Sequence, residues 1–167
     1  QLVLFPTTLL LKEYKIKDQS YTDILLKEVK DNIDEIYSYK SNVVGKKTYW
    51  KHFIKKSKNF KDVLNLLNEY VLYEAWGNIL NKNDYVEEHN HFNPTLVNRF
   101  IDISGILYLT NFGPGTFFKQ FNKTIKPEAG KIIVFDSKYL HSVKKCDRDE
   151  PRITIAFNGR RKESYEF

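Results

Sequence analysis

Residues 103–110 read ISGILYLT, residues 131–135 read KIIVF, and residues 152–158 read RITIAFN. These three segments decide the fold, because each is rich in branched aliphatic and aromatic residues, which favour strands. The turn Asn111–Gly115, with two glycines and a proline, leads into a returning strand at Thr116–Phe121. Many short strands joined by such turns predict a barrel or a double-sheet jelly roll.

The N-terminal half carries a different pattern. Apolar residues at helical spacing predict one helix over Ser20–Tyr37, with Ser20 as the N-cap, and a second helix over Phe60–Glu74. Short apolar runs predict an edge strand at Leu2–Phe5 and a second strand at Leu9–Tyr14. We expect the two helices to pack on one face of the sheet that follows.

The length of 167 residues suits one domain that can bury a core. We therefore predict a single mainly β (α+β) domain over residues 1–167, with helical support at 1–80 and a β core at 81–167. The single cysteine, Cys146, excludes an internal disulfide and is typical of a cytoplasmic protein. No apolar run approaches the roughly 20 residues of a membrane-spanning helix, so no membrane partner is expected.

The net charge of +6 is concentrated in part in a basic run between residues 46 and 61. Its lysines are Lys46, Lys47, Lys51, Lys55, Lys56, Lys58 and Lys61. Tyr49, Trp50 and Phe53 lie between them, and interleaved lysines and aromatic residues can bind single-stranded nucleic acid. The interpretation we favour is a solvated loop whose aromatic residues contact the core.

Three of the four histidines suit a metal site. His89 and His91 are two residues apart, so a strand would direct both to one face, and His141 lies on a later strand that a jelly roll could bring beside them. Imidazole binds Fe, Zn, Cu and Ni alike, so the histidines do not name the metal. A pair of hydrogen-bonded structural histidines is the alternative. The fourth, His52, lies in the basic run, where we expect it on the surface.

An arginine follows the distal histidine on the next strand. Arg152 shares its strand face with Thr154, Ala156 and Asn158, whereas the apolar residues between them share the other face. An arginine directed into a barrel needs an anionic partner, because a buried unpaired charge is costly. A guanidinium binds a carboxylate through two parallel hydrogen bonds, so a dicarboxylate bound to the metal at one end would suit it. The alternative is an internal ion pair with Asp136 or Glu128.

This order of residues resembles the non-haem Fe(II), 2-oxoglutarate (2OG)-dependent oxygenases, and in particular their small prolyl-hydroxylase-like branch found in bacteria and phages. The resemblance covers residues 76–158 well, including Pro127, Gly130 and Phe135 ahead of the distal histidine, and the opening Leu4–Thr7 faintly. It implies a double-stranded β-helix fold.

The resemblance also implies the roles of individual residues. His89 and His141 would bind iron, whereas Arg152 and Thr154 would hold the C5 carboxylate of 2OG. Further residues are expected in the cofactor pocket: Tyr108, Ser104 and Asn158. The implied cofactors are Fe(II) and 2OG as co-substrate, with ascorbate as a further candidate.

The chain departs from the family at one ligand position. Where a carboxylate is expected, His91 stands, so we predict that His89, His91 and His141 all bind the metal; the alternative is a carboxylate from elsewhere, with Glu87, Asp102 and Asp136 as candidates. The implied activity is hydroxylation by O2, with release of succinate and CO2, and a peptidyl proline is the most specific substrate the resemblance suggests. The alternatives are a cupin-like metal- or anion-binding protein without turnover, and a nucleic-acid-associated protein that uses the basic run.

Overall fold

The computed structural model describes residues 8–91 and 101–162, and its regular structure is mostly β. The strands are β1 (Leu11–Lys15), β2 (Val43–Val44), β3 (Lys46–Lys47), β4 (Tyr70–Leu80), β5 (Tyr85–His89), β6 (Ile103–Tyr108), β7 (Thr116–Phe118), β8 (Lys123–Ile125), β9 (Lys131–Asp136), β10 (His141–Val143) and β11 (Arg152–Arg161). The helices are α1 (Gln19–Asp31) and α2 (Lys61–Leu66), with a π-helical turn at His52–Lys56 and a 3-10 turn at Lys119–Phe121. The predicted edge strand Leu2–Phe5 and the opening motif Leu4–Thr7 lie outside the described residues.

The described strands form two antiparallel sheets. The larger sheet has the order β1-β9-β6-β11-β4-β3, and the smaller has the order β2-β5-β10-β7-β8. Neighbours in the larger sheet are distant in sequence, since β11 pairs with both β4 and β6. The mainly β, double-sheet prediction is therefore confirmed, and among the described residues no helix is long and apolar enough to cross a membrane.

Successive side chains of β11 point alternately to the two faces of the larger sheet. Ile153, Ile155 and Phe157 pack with residues of α1 and α2 in the larger apolar cluster. The other face of the larger sheet turns toward the smaller sheet, where a second cluster includes Ile106 and Tyr108. The strand therefore has an apolar helix side and a mixed inner side, as its sequence predicts.

One glycine is required where β6 meets β11. Gly105 pairs with Phe157 in the register of the two strands. A Cβ at residue 105 would lie 2.0 Å from the tip of the Phe157 ring, so any larger residue would displace that ring. The glycine thus leaves room for the Phe157 ring beside the neighbouring strand.

Helix α1 begins at Gln19, one residue before the predicted start, and it ends earlier than predicted. Asp18, not Ser20, is the N-cap, and its carboxylate accepts a hydrogen bond from the Ser20 amide at 3.0 Å. A hydrogen bond from the Ser20 hydroxyl, and then the one from the Ser20 amide, lowers the pKa of Asp18. The helix ends at Asp31 rather than near Tyr37, and Leu25 and Val29 are its buried apolar residues.

The second predicted helix is largely wrong. Helix α2 covers only Lys61–Leu66, and Tyr70–Leu80 is a strand that pairs with β11 along its whole length. Strands β1 and β4 belong to the larger sheet, so the β core begins well before residue 81. The spacing of apolar residues over 63–71 is compatible with a helix or a strand. Pairing with β11 makes Tyr70–Leu80 a strand.

The basic run is more ordered than a solvated loop. Lys46–Lys47 forms β3 at the edge of the larger sheet, and the π-helical turn follows. His52 is only 6% exposed, so the prediction of a surface residue is wrong. Its Nε2 lies 2.7 Å from the carboxylate of Glu28 on α1, and this pair ties the turn to the helix.

Candidate functional site

Three histidines converge between the two sheets. His89 ends β5 and His141 begins β10, and the antiparallel register places the two directly opposite each other. His91 lies two residues beyond β5, where its amide donates to the carbonyl of Ser137 at 3.0 Å. One ligand atom of each histidine lies within 4.8 Å of the other two. The structure therefore brings together the three residues that the sequence singled out.

Backbone carbonyls orient two of the three rings. The Nδ1 atom of His89 lies 2.7 Å from the Glu87 carbonyl, and the Nδ1 atom of His141 lies 3.0 Å from the Tyr139 carbonyl. A carbonyl can only accept, so each Nδ1 carries the proton and each Nε2 keeps a free lone pair. The third ring, His91, packs against Trp76 at 6.3 Å between ring centroids.

The spacing of the nitrogens fits a metal ion. The Nε2 atoms of His89 and His91 are 3.0 Å apart. Two nitrogens about 2.1 Å from one metal and at right angles would be separated by about 3.0 Å, so both can bind the same ion. If neither a hydrogen bond nor a metal joined these two Nε2 atoms, their lone pairs would point at each other.

Burial keeps all three imidazoles neutral, which is the form that binds a metal. Burial lowers the pKa of His89 and lowers the pKa of His141 to about 4. The pKa of His91 falls well below its usual value, first through burial and then through the neighbouring His89 and His141. With these imidazoles neutral, a metal would supply the positive charge at the histidine end of the cavity.

None of the candidate carboxylates joins the three histidines among the described residues. Glu87 is exposed, although its carbonyl contacts His89. Asp102 accepts from the amide of Arg161, and Asp136 accepts from the amide of Lys138. The donor set that the described residues offer is therefore three imidazoles, which suits iron among several metals.

Arg152 lies in the same cavity as the triad and is 3% exposed. Its Nε donates to the Pro114 carbonyl at 2.8 Å, its Nη2 lies 3.4 Å from Thr116 Oγ1, and its guanidinium lies over the Tyr108 ring. Among residues 8–91 and 101–162, no carboxylate forms an ion pair with it. The internal ion-pair alternative is thus not realised, because Glu128 pairs with lysines and Asp136 caps a turn.

Burial lowers the pKa of Arg152, which shows how unfavourable an isolated charge is at this point. The remaining guanidinium N–H groups can bind one carboxylate in a fork. Tyr108 and Thr154, both buried, belong to the same inner face, and Thr154 lines the cavity. The arrangement can hold a ligand that carries an anion at the arginine end and metal-binding atoms at the histidine end.

Ser104 and Asn158 lie beside the triad rather than beside Arg152. Ser104 Oγ donates to the amide oxygen of Asn158, and the Asn158 amide nitrogen donates to Glu74 at 2.8 Å. The same nitrogen is 3.4 Å from Nδ1 of His91. Ser104 lines the cavity of the triad, so of the two only Ser104 lies where a ligand in that cavity could contact it.

The sequence analysis missed the residues that hold Arg152 in place. The Gly113–Gly115 turn lies against its side chain. Gly113 has a φ of +94°, which L side chains rarely adopt, and a Cβ there would lie only 3.1–3.3 Å from the Arg152 methylenes. Thr116 also bonds to the Tyr108 hydroxyl. The Gly-Pro-Gly turn was visible as a turn, but its contact with Arg152 depends on tertiary structure.

The C-terminal part of the chain matches a known family in sequence. Residues 114–158 match the sequence model of the family described as "Putative 2OG-Fe(II) oxygenase". These residues include Pro114, the distal histidine His141 and β11 as far as Asn158. None of the curated proteins matches the chain in sequence.

Several solved structures share the fold at low sequence identity. A Pseudomonas putida prolyl-4-hydroxylase has a TM-score of 0.72 and 13% identity, with 93% of this chain and 94% of that one covered. The viral collagen prolyl hydroxylase of Paramecium bursaria chlorella virus 1, in its 2OG complex, has a TM-score of 0.69 and 14% identity over 90% and 96%. HygX from Streptomyces hygroscopicus, with nickel, 2OG and hygromycin B, has a TM-score of 0.69 and 10% identity over 91% and 83%. These likenesses confirm the double-stranded β-helix fold.

Proposed function

We propose that this chain, a 2OG-Fe(II) oxygenase by its family match and its fold, hydroxylates a peptidyl proline with Fe(II) held by His89, His91 and His141. The observation that supports this site is that one cavity holds three converging imidazoles and a buried arginine that has no acidic partner in the described part of the chain. The prolyl substrate is supported by the resemblance to prolyl hydroxylases. We also propose a cytoplasmic location, in keeping with the single cysteine.

The side chains at one end of the cavity bind the metal, and those at the other end bind the carboxylate of 2OG. The histidine Nε2 atoms hold the metal, while the carbonyls of Glu87 and Tyr139 keep two of the rings in the required tautomer. Arg152 binds the far carboxylate of 2OG, and Pro114 and Thr116 keep the guanidinium directed inward. When bound, Fe(II) and 2OG supply the oxidation of a C–H bond by O2, with conversion of 2OG to succinate and CO2.

The walls between the two ends are apolar. Four of these residues are Val86, Ile106, Phe135 and Val143, which exclude water from the oxidising centre. The cavity has a volume of about 50 Å³. Burial of the carboxylate beside Arg152 then strengthens their attraction, because the local dielectric is low.

The test is the spectrum of the anaerobic protein. Addition of 2OG to the protein loaded with Fe(II) should produce a weak visible charge-transfer band, and calorimetry should give one 2OG per chain. Uncoupled conversion of 2OG to succinate in air should follow. Absence of both the band and the calorimetric signal would contradict the oxygenase assignment, and binding without any turnover would indicate the cupin-like alternative.

A further inference from the structure

His91 differs from the other two histidines of the triad in what its ring nitrogens contact. The Nδ1 atoms of His89 and His141 face backbone carbonyls, which can only accept a hydrogen bond. The Nδ1 atom of His91 instead faces the amide nitrogen of Asn158 at 3.4 Å. An amide nitrogen donates and cannot accept, so a hydrogen bond at this contact requires that Nδ1 of His91 has no proton.

Two neighbouring strands fix the orientation of the Asn158 amide. Asn158 lies opposite Glu74 of β4 and opposite Ser104 of β6 in the registers of the strands. Its nitrogen donates to Glu74 Oε1 at 2.8 Å, and its oxygen accepts from the Ser104 hydroxyl at 2.7 Å. A carboxylate can only accept, so a rotated amide would direct its oxygen at Glu74 and would lose a charge-assisted hydrogen bond. Because Asn158 is 1% exposed, bulk solvent does little to compensate for that loss.

The contact at the other ring nitrogen of His91 leads to the same protonation. Nε2 of His91 lies 3.0 Å from Nε2 of His89. His89 carries its proton on Nδ1, because that atom faces the Glu87 carbonyl. In a hydrogen bond between the two Nε2 atoms, His91 must therefore be the donor. The contacts at both ends of the ring thus place the proton of a neutral His91 on Nε2.

A metal ion on Nε2 of His91 requires the other tautomer. An imidazole that binds a metal through one nitrogen carries its proton on the other, where it usually donates to a carbonyl or a carboxylate. In His91 that proton would be on Nδ1 and would face the N–H group of Asn158. The ring is neutral in both tautomers, so one proton leaves Nε2, one is taken up at Nδ1, and the charge does not change. Both can exchange with solvent through a cleft of about 240 Å³ that is lined by His91, Glu74 and Asn158.

We infer that Asn158, held by Glu74 and Ser104, is a positioning residue that decides whether His91 binds the metal. The inference rests on the proposed function, since it concerns a ligand of the same metal site. In the orientation that Glu74 sets, Asn158 favours the tautomer in which His91 donates to its histidine neighbour. The other two histidines have Nε2 free for the metal, whereas His91 binds it only after the Asn158 amide rotates and accepts a hydrogen bond from Nδ1.

The experiment determines the tautomer of each histidine by 15N NMR of the protein freed of metal with a chelator. The protonated and unprotonated nitrogens of a neutral imidazole have different chemical shifts, so the measurement needs no turnover. We expect protons on Nδ1 of His89 and His141 and on Nε2 of His91. After addition of Zn(II), which imidazole also binds, the proton of His91 should be on Nδ1. His52, whose Nε2 contacts Glu28, is the internal reference and should not change.

An exchange of the two side chains beside His91 is the main variant. Glu74→Gln combined with Asn158→Asp keeps the net charge and places a carboxylate where it can accept from Nδ1 of His91, while the new glutamine amide can donate to that carboxylate. His91 should then carry its proton on Nδ1 before metal is added. The Kd for Zn(II), measured by competition with a chelator, should fall about tenfold, which corresponds to about 1.4 kcal/mol.

The single variant Glu74→Gln gives an intermediate case. A glutamine amide can accept from Asn158 or donate to it, so the Asn158 amide is no longer held in one orientation. Both tautomers of His91 should therefore be populated. Thermal unfolding of each variant shows whether it has folded, and Glu74→Gln keeps the test decisive if the exchange variant has not.

Asn111→Asp is the matched control for the added carboxylate. The side-chain oxygen of Asn111 accepts from the Ala129 amide in an exposed turn. The same substitution there keeps an acceptor in place, so the tautomers of the triad and the Kd for Zn(II) should both be unchanged.

A proton on Nδ1 of His91 in the metal-free parent would overturn the inference, and so would an unchanged tautomer in the exchange variant. A changed tautomer with the parent's Kd for Zn(II) would also overturn it, because Asn158 would then place the proton without affecting the ligand. If the tautomers are as expected but no variant binds Zn(II), the metal site of the proposed function fails while the position of the proton stands.

Discussion

Replacement of Arg152 by methionine tests the anion end of the site. The side chain is 3% exposed and makes hydrogen bonds to Pro114 and Thr116 but, among the described residues, no ion pair with a carboxylate. Loss of one partner from a buried, hydrogen-bonded charge pair costs about 2–5 kcal/mol. We therefore expect the variant to bind 2OG about 2–4 kcal/mol more weakly, which is about 30–1000-fold in Kd.

The stability of the protein without 2OG should respond in a different way. Removal of one partner from a buried internal ion pair destabilises a protein by about 3–5 kcal/mol. Arg152 has no such partner among residues 8–91 and 101–162, so Arg152→Met should leave the unfolding midpoint nearly unchanged, because relief of a buried charge offsets the lost hydrogen bonds. A large loss of stability in the absence of 2OG would show that Arg152 serves a structural ion pair.

The assay is thermal unfolding of the metal-loaded, anaerobic protein with and without 2OG. At a ligand concentration of 100 times Kd, the parent should gain about 2.7 kcal/mol. For a domain of this size that is a rise of about 5–11 °C in Tm. The variant should retain less than about 0.9 kcal/mol of this gain at the same concentration.

Arg160→Met is the matched control for this measurement. Arg160 lies on the same strand, and its Nε donates to the Tyr73 hydroxyl at 2.8 Å, away from the cavity. This variant should keep the full shift produced by 2OG. If Arg152→Met keeps the parent's shift as well, the carboxylate of 2OG is bound elsewhere and the assignment of Arg152 is refuted.

Three further changes test other parts of the structure. His91→Ala should lose metal, as measured by elemental analysis after dialysis, whereas His91→Asp should retain it; full metal occupancy in the alanine variant would exclude His91 as a ligand. Neutralisation of Lys55, Lys56 and Lys58 together by glutamine should leave uncoupled 2OG turnover unchanged, and loss of turnover in the folded variant would place this surface in the active site. Gly105→Ala should destabilise the protein by about 1–3 kcal/mol, because its Cβ would overlap the phenylalanine ring on β11; an unchanged urea midpoint would refute this packing argument.

Local patterns in the sequence were sufficient for strands β6, β9 and β11 and for the choice of candidate site residues. The alternation in residues 152–158 predicts which side chains face inward, because strand geometry has a period of two that any pairing preserves. The same rule placed His89 and His91 together. The types of these side chains then indicated a cluster of imidazoles and an arginine. The sequence also showed, without a structure, that His91 stands where the family has a carboxylate.

Contacts between distant segments decided the rest. The apolar spacing around Val63–Val71 suits a helix, but pairing with β11 makes Tyr70–Leu80 a strand. His52 is buried because Glu28, on a helix distant in sequence, bonds to it. No local pattern contains these partners, because each depends on where another element packs.

The sequence alone determined strands β6, β9 and β11, which of the β11 side chains face inward, and the residues capable of binding a metal and a carboxylate, since these depend on side-chain chemistry and local geometry. Only the tertiary structure decided that β5 and β10 pair so that His141 lies opposite His89, and that the Gly113–Gly115 turn directs Arg152 into the same cavity. It also decided that Trp50, in the basic run, and Trp76, on β4, line one cleft beside His91. The physical reason is that register and packing minimise the free energy of the whole chain, to which residues far apart in sequence contribute together.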